Sequence, residues 1–462
     1  MIGQSPERRQ PDLFNPLLED FIDMKHELVL LARKIDWDYF QKEFAPLYSH
    51  RGQKAMPIRL MIGCLILKHL YDLGDETLAK EWVMNPYMQY FCGETIFQHR
   101  FPCDPSDFVH FRKRIGEKGI EKIFLQSVKL HGKDAEEKLH VSDTTVQGNN
   151  TTFPTDQKLY KKVIEGCHDI AQQEGVEQRQ SYEKTSKELL RQTHNGKHPR
   201  RWKKARAARK KLRTLARRVI RELERKLDEP QIQRHLDRLE IYKRIVEQEP
   251  QDKNKIYSPH KPYTTCIAKG KASTPYEFGN KVGLVITSES QLVVAIRAFE
   301  GNPHDSKTIE PLLEWMKQNG LKQPKQIVYD RGGRGKKEIN GVEILTPGKP
   351  LKNDSGYERA KKRKPFRRRA AIEPVIGHLK KDFRMQENYM KGKNSPTINA
   401  LLAATAWNLK KLMRKLLREL LRFLFSVFPP CPKTDSSPSV FSLFLSAFSL
   451  ILRKSFSSGV TI

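Results

Sequence analysis

The stretch from Pro199 to Leu227 carries fourteen Lys and Arg residues, which leaves it very few ways to fold. So many cations cannot be buried all round, and no half-buried strand could hold them. Leu212, Leu215, Val219, Leu223 and Leu227 recur at spacings of three and four, the period of one helical stripe. The spacing therefore predicts a long amphipathic helix with a single apolar seam and a basic remainder. A partner helix holding Leu236, Leu239, Ile241 and Ile245 is expected to cover the seam as a helical hairpin. The exposed cations, Arg209, Lys210, Lys211, Arg217 and Arg218 among them, are candidate phosphate contacts. Trp202 stands among them and is expected to anchor this insertion to the core, or else to stack on a base.

The excess of positive charge extends over the whole chain. Its 462 residues hold 85 Lys and Arg against 54 Asp and Glu, a formal charge of +31. Such a balance implies a polyanionic partner, of which nucleic acid is the commonest. Six scattered cysteines without a C-x-x-C pair exclude a zinc ribbon or a disulfide framework, and they fit a reducing compartment. Met1–Pro16 is polar, with no apolar core of a secretory signal. The apolar run Val440–Leu452 is too short for a membrane span of about 20 residues.

Local patterns divide the chain further. Residues 1–130 read as an all-helical N-terminal domain suited to DNA binding. In it, Pro57 opens a helix with Ile58, Met61, Ile62, Leu65, Ile66 and Leu70 on one face, stopped at Gly74. Asp75 is expected to cap a second helix and Ser106 a third, whose polar face carries His110, Arg112, Lys113 and Arg114. A core at 138–428 follows, interrupted by a helical basic insertion at 157–250. Its first strand alternates Leu139, Val141 and Val146 with polar residues. Strand signals return at 263–300 as an antiparallel meander, then at Gln326–Asp330 and Val342–Leu345. Asp305 or Ser306 is expected to cap the helix through Ile309 and Trp315, with His304 a turn residue. The fold class is α/β, a mixed sheet between helices. Residues 429–462 are an atypical tail to which no function is assigned.

Three carboxylates stand out against this frame. Asp143 and Asp330 each end or follow an apolar strand just before a loop, where ligands of open α/β sheets bind. Glu373 falls early on a late helix. Arg369 lies four residues before it and Lys380 seven after, so all three share one helical face. Hard divalent cations such as Mg²⁺ prefer oxygen ligands, and two of them can serve both oxygens of a phosphodiester exchange. Asp143, Asp330 and Glu373 are thus candidate metal ligands for phosphoryl transfer, with Arg369 and Lys380 placed to meet phosphate. Lys281 either joins them on DNA or is an exposed strand residue. No G-x-x-x-x-G-K-[ST] loop is present, so the chemistry needs no nucleoside triphosphate.

These motifs resemble those of bacterial insertion-sequence DDE transposases with an InsH-type N-terminal domain. The matching stretches are Pro57-Ile-Arg-Leu-Met61 through Phe91-Cys-Gly93, Val141-Ser-Asp-Thr-Thr145 and Tyr276-Glu-Phe-Gly-Asn-Lys281. Gly301-Asn-Pro-His-Asp305, Tyr329-Asp-Arg-Gly332 and the Y-x2-R-x3-E-x6-K pattern ending at Lys380 complete the likeness, which spans about 1–425. The resemblance implies an RNase H-like catalytic core whose Asp143, Asp330 and Glu373 are catalytic and bind Mg²⁺ or Mn²⁺, with Arg369 and Lys380 gripping DNA. It also implies binding of the element's own terminal inverted repeats, cleavage there, transfer of the 3′ ends to target DNA, and a homo-oligomeric synaptic complex. A bacterial cytoplasmic, nucleoid-associated setting without membrane contact follows. An RNase H-like nuclease without strand transfer, and a catalytically inactive DNA-binding derivative, are the alternatives. Phe366 replaces the motif's tyrosine, so a hydroxyl hydrogen bond is lost while ring packing remains, and weakened activity is expected.

Overall fold

Seven strands form one mixed sheet whose centre is the first strand of the chain. The structure, a computed structural model, describes residues 16–49, 54–196, 198–269, 275–348 and 355–427. Most of the polar N-terminal stretch, the start of the basic loop at Lys349 and the tail with Val440–Leu452 lie outside the described residues. Residues up to Arg414 form one compact unit, and those from Lys415 onward a second.

Strand β1 (Leu139–Gly148) runs antiparallel to β3 (Tyr276–Thr287) and parallel to β5 (Gln326–Val328). Beyond β5 lie β7 (Val342–Leu345), parallel to it, and β6 (Glu338–Ile339), antiparallel to β7. The expected meander is present with one refinement. β2 (Thr265–Ala268) pairs with β3 at Tyr276–Gly279, and β4 (Val293–Phe299) pairs with it at Lys281–Ile286. Because β1 covers β3 from Gly279 to Thr287, β2 and β4 must share its other edge in succession. The mixed α/β class read from the sequence is what the structure has.

The N-terminal region contains α1 (Leu18–Phe21), α2 (Glu27–Lys34), α3 (Trp37–Phe44), α4 (Ile58–Leu70), α5 (Asp75–Met84), α6 (Pro86–Phe91) and α7 (Asp107–Lys129). The one-faced amphipathic helix expected from Pro57 is instead buried all round. Every residue of α4 except Arg59 is buried, as an almost wholly apolar helix must be. Arg59 lies over the Trp37 ring and donates to the Tyr90 and Phe91 carbonyls, closing the end of α6. Asp75 is not the cap of α5, a position Gly74 holds. Its carboxylate receives Lys68 Nζ at 2.7 Å and both Nη atoms of Arg112 at 3.1 and 2.9 Å. That corrects the reading of Arg112 as part of the exposed polar face of α7: it is buried, whereas His110, Lys113 and Arg114 are exposed.

The insertion is a four-helix unit rather than a hairpin. It comprises α8 (Asp156–Gln173), α9 (Glu183–Gln192), α10 (Trp202–Lys226) and α11 (Glu229–Glu247). The seam of α10, Leu212, Leu215, Val219 and Leu223, is buried against α8, α9 and α11 together, in a core with Val163, Ile170, Leu239 and Ile245. Leu236 proves exposed, and Trp202 is 44% exposed at the start of α10, so it does not anchor the insertion.

The chain closes with α12 (Ile309–Gln318), α13 (Gly356–Arg363), α14 (Ile372–Lys381) and α15 (Ser395–Val427). Polar side chains on the first part of α15 tie sheet and N-terminal helices together. Asn408 accepts from Val293 N and donates to Val293 O, at 3.0 and 2.9 Å, while its own carbonyl bonds His131. Asn399 bonds His69 of α4, and Gln147 of β1. Among the described residues no helix is long and apolar enough to cross a membrane.

Candidate active site

β1 and β5 run parallel in a register that sets Val141 beside Val328. Two residues further along each chain stand Asp143, in the middle of β1, and Asp330, just past the end of β5, and the charge of Asp330 is felt at Asp143. β5 stops at Val328 because the chain must turn; Asp330 caps the short 3₁₀ turn Arg331–Gly333 by accepting from Gly332 N at 2.8 Å. Asp143 accepts from Thr144 N at 2.7 Å. Burial, reinforced by the charges of Asp330 and Asp305, pushes the Asp143 carboxyl up to about 6, against the opposing pull of the Thr144 N–H and Arg369.

Asp305 was expected as a helix cap. Instead, His304 takes the cap position of its 3₁₀ turn, accepting from Ser306 N. The freed Asp305 carboxylate reaches the strands: its Oδ1 accepts from Thr144 Oγ1 and from Lys281 Nζ, both at 2.9 Å. Burial opposes its charge, yet the Lys281 and Thr144 bonds hold its carboxyl below the usual range. Lys281 also donates to Pro303 O at 2.7 Å, and its side chain is only 12% exposed. It is therefore not the exposed strand residue weighed from the sequence, and its ammonium faces Asp305.

Gly332 joins the two acidic turns. A Cβ there would come within 2.7 Å of Asp305 Oδ2 and 3.0 Å of Asp330 Oδ1, so glycine is what lets both carboxylates approach this backbone.

Glu373 occupies the first turn of α14, which packs against β1. The structure does not bring it into a cluster with the other two acids: among the described residues no three acidic, His or Cys side chains are close enough to hold an ion. Its side chain is 66% exposed and faces Arg369 Nη2 at 3.8 Å. Arg369 thereby lies between the acids, paired to Glu373 while its charge also acts on Asp143. Lys380 is half-buried at the far end of the same helix, and Phe366 is half-buried before it.

Asp143 and Asp330 suit a hard divalent cation. Both are oxygen donors, Asp143 in the middle of β1 rather than at the strand end expected from the sequence and Asp330 two residues past β5. Neither has an ion pair among the described residues, and their mutual repulsion is what a cation would relieve. On α10, Arg209, Lys210 and Lys211 are exposed. Arg217 and Arg218 are exposed too, but they also bond Val246 O and the Tyr182 hydroxyl. Sequence reasoning missed the place of Asp305 and Thr144. The signal available was Gly301-Asn-Pro-His-Asp305 itself, whose proline and histidine already fix a turn without needing a capping aspartate.

Comparison with known proteins places the chain in a family. Residues 16–114 match the family described as Transposase domain (DUF772), and residues 246–409 match the Transposase DDE domain. The chain therefore belongs to the insertion-sequence DDE transposases, and its mixed sheet is an RNase H-like core. It is also 39% identical over 188 residues to "Uncharacterized protein ORF8 in nfe locus" of Rhizobium meliloti, covering 39% of this chain and 90% of that protein. No solved structure matches it.

Proposed function

We propose that this transposase binds the terminal inverted repeats of its own insertion sequence, cuts the DNA there and joins the 3′ ends to target DNA. The observation that supports the reading is the parallel pairing of β1 with β5 up to Val141 and Val328, two residues short of Asp143 and Asp330, together with the Asp330 charge acting on Asp143. Asp143, Asp330 and Glu373 would hold Mg²⁺ or Mn²⁺, whose presence supplies activation of the attacking oxygen and stabilisation of the leaving one. Arg369 exchanges Glu373 for a phosphate oxygen when DNA arrives, which frees the glutamate to turn toward the two aspartates. Lys380 adds a second cation on the same helix face. Asp143 is held within β1 and Asp330 by its bond from Gly332 N, so the scissile phosphate would be oriented against a fixed pair.

The duplex outside the site lies against the basic face of α10, through Arg209, Lys210, Lys211, Arg217 and Arg218, and against His110, Lys113 and Arg114 of the N-terminal domain. We assign residues 1–130 to end binding, 138–428 to the catalytic core and 157–250 to the basic insertion. Two or more protomers would hold the paired ends in a synaptic complex in the bacterial cytoplasm, at the nucleoid.

A strand-transfer assay with a duplex carrying the element end tests the reading. Wild type is expected to cut and join; cutting without joining would support the nuclease alternative, and neither would support an inactive binder. Asp330→Asn should abolish both reactions while leaving duplex affinity within about threefold, because phosphate contacts supply most of that affinity. A matching loss of binding would make Asp330 a structural acid.

A further inference from the structure

One ion pair at the site has no part in the proposed chemistry. Lys281 and Asp305 come from separate elements, and their junction touches both acid-bearing segments. Asp305 Oδ1 takes the Thr144 hydroxyl one residue after Asp143, and Asp305 Oδ2 lies against Gly332, whose N–H is bonded to Asp330. Strand alternation puts Thr144 and Lys281 on one face of the sheet and Asp143 on the other, so the pair sits behind Asp143, while Asp305 comes close to Asp330 across Gly332. Pro303 O takes a second bond from Lys281, and the Thr308 hydroxyl donates to Asp305 O at 2.7 Å, so both partners are fixed from outside the site.

We infer that Lys281 and Asp305 are a positioning pair: Asp305 braces the Asp143 and Asp330 segments, and Lys281 cancels its charge. The inference rests on the reading of Asp143 and Asp330 as cation ligands. A fully ionised Asp305 without Lys281 would add a further negative charge near them and tighten cation binding. Lys281 without Asp305 would add a positive charge and weaken it. Together they leave the charge felt by the cation to the ligands alone, while the Thr144 bond keeps its geometry.

Opposite signs separate this role from ordinary structural support. In a Mn²⁺ titration of the full chain followed by electron paramagnetic resonance, Asp305→Asn, which keeps an acceptor for Thr144, should weaken binding about threefold to tenfold. Lys281→Met should strengthen it by a similar factor, and the double variant should return to within about twofold of wild type. Thermal unfolding of each variant shows that it is folded. Shifts of the same sign in both single variants, or no shift in either, would overturn the inference. If Asp143→Asn leaves wild-type Mn²⁺ affinity unchanged, the cation reading itself fails, and the pair's role falls with it.

Discussion

His140 shows how a single residue of β1 sets the acid limit of the fold. Its ring is fully buried, and neither ring nitrogen has a hydrogen-bond partner among the described residues. Burial holds its pKa down to about 4, against 6.5 for an exposed histidine. Between those values the unfolded chain binds the extra proton and the folded chain does not. Its contribution is therefore full above pH 6.5 and lost as pH falls to 4, about 3 kcal/mol in all. Asp143, raised to about 6, has the opposite sign over the same range, so the two partly offset each other. Replacing His140 with Leu should make the melting temperature fall less between pH 6.5 and 4 than in wild type. An unchanged slope would show that His140 opens to water well before global unfolding. At this scale the sequence was legible where a residue's place is set by its neighbours along the chain, as with Asp143 within β1 and Arg369 paired to Glu373 one turn away. It was not legible where the partner comes from afar: nothing near Asp305 in sequence announces Thr144 or Lys281, and nothing near Arg112 announces Asp75.

The elements were legible to different depths. Alternation exposed β1, continuous β-branched and apolar runs exposed β3 and β4, and the leucine spacing exposed α10. What periodicity did not give was the number of partners. The seam of α10 is covered by three helices, because Val163, Ile170 and Leu189 are spaced too far apart in the sequence to read as one surface. Helix α4 misled for a related reason. A helix apolar on every side shows no moment to place, so its burial on all faces has to be found from packing. The basic face of α10 carries the prediction proper to this scale. Replacing Arg209, Lys210 and Lys211 with Ala should weaken duplex binding and flatten its dependence on salt, lowering the slope of log K against log salt by about 2.7 if all three meet phosphate. Because Leu212 and Leu215 stay in place, the fold should be retained. A slope equal to wild type would move the DNA path off the insertion.

At the scale of the whole molecule, the sheet and the N-terminal helices are joined through α15, up to Arg414, by polar bonds rather than by apolar contact alone. Asn399 and Asn408 are buried and bonded on both sides, to His69 and Gln147 in one case and to His131 and Val293 in the other. A buried network with its partners satisfied fixes one arrangement, since any shift would strand polar groups away from water. β1, which bears Asp143, is thus held in a frame reaching from α4 to α15. Glu373 differs: it sits on a helix against β1 with its carboxylate in solvent and paired to Arg369, so under the proposed mechanism it joins the two aspartates only when DNA draws Arg369 away. The most direct measurement is the anomalous signal of Mn²⁺ in a crystal of the full chain with an element-end duplex. The ion is expected within about 2.5 Å of carboxylate oxygens from both Asp143 and Asp330, with Glu373 turned toward it. Manganese bound elsewhere, with those two aspartates still facing each other without it, would contradict the account.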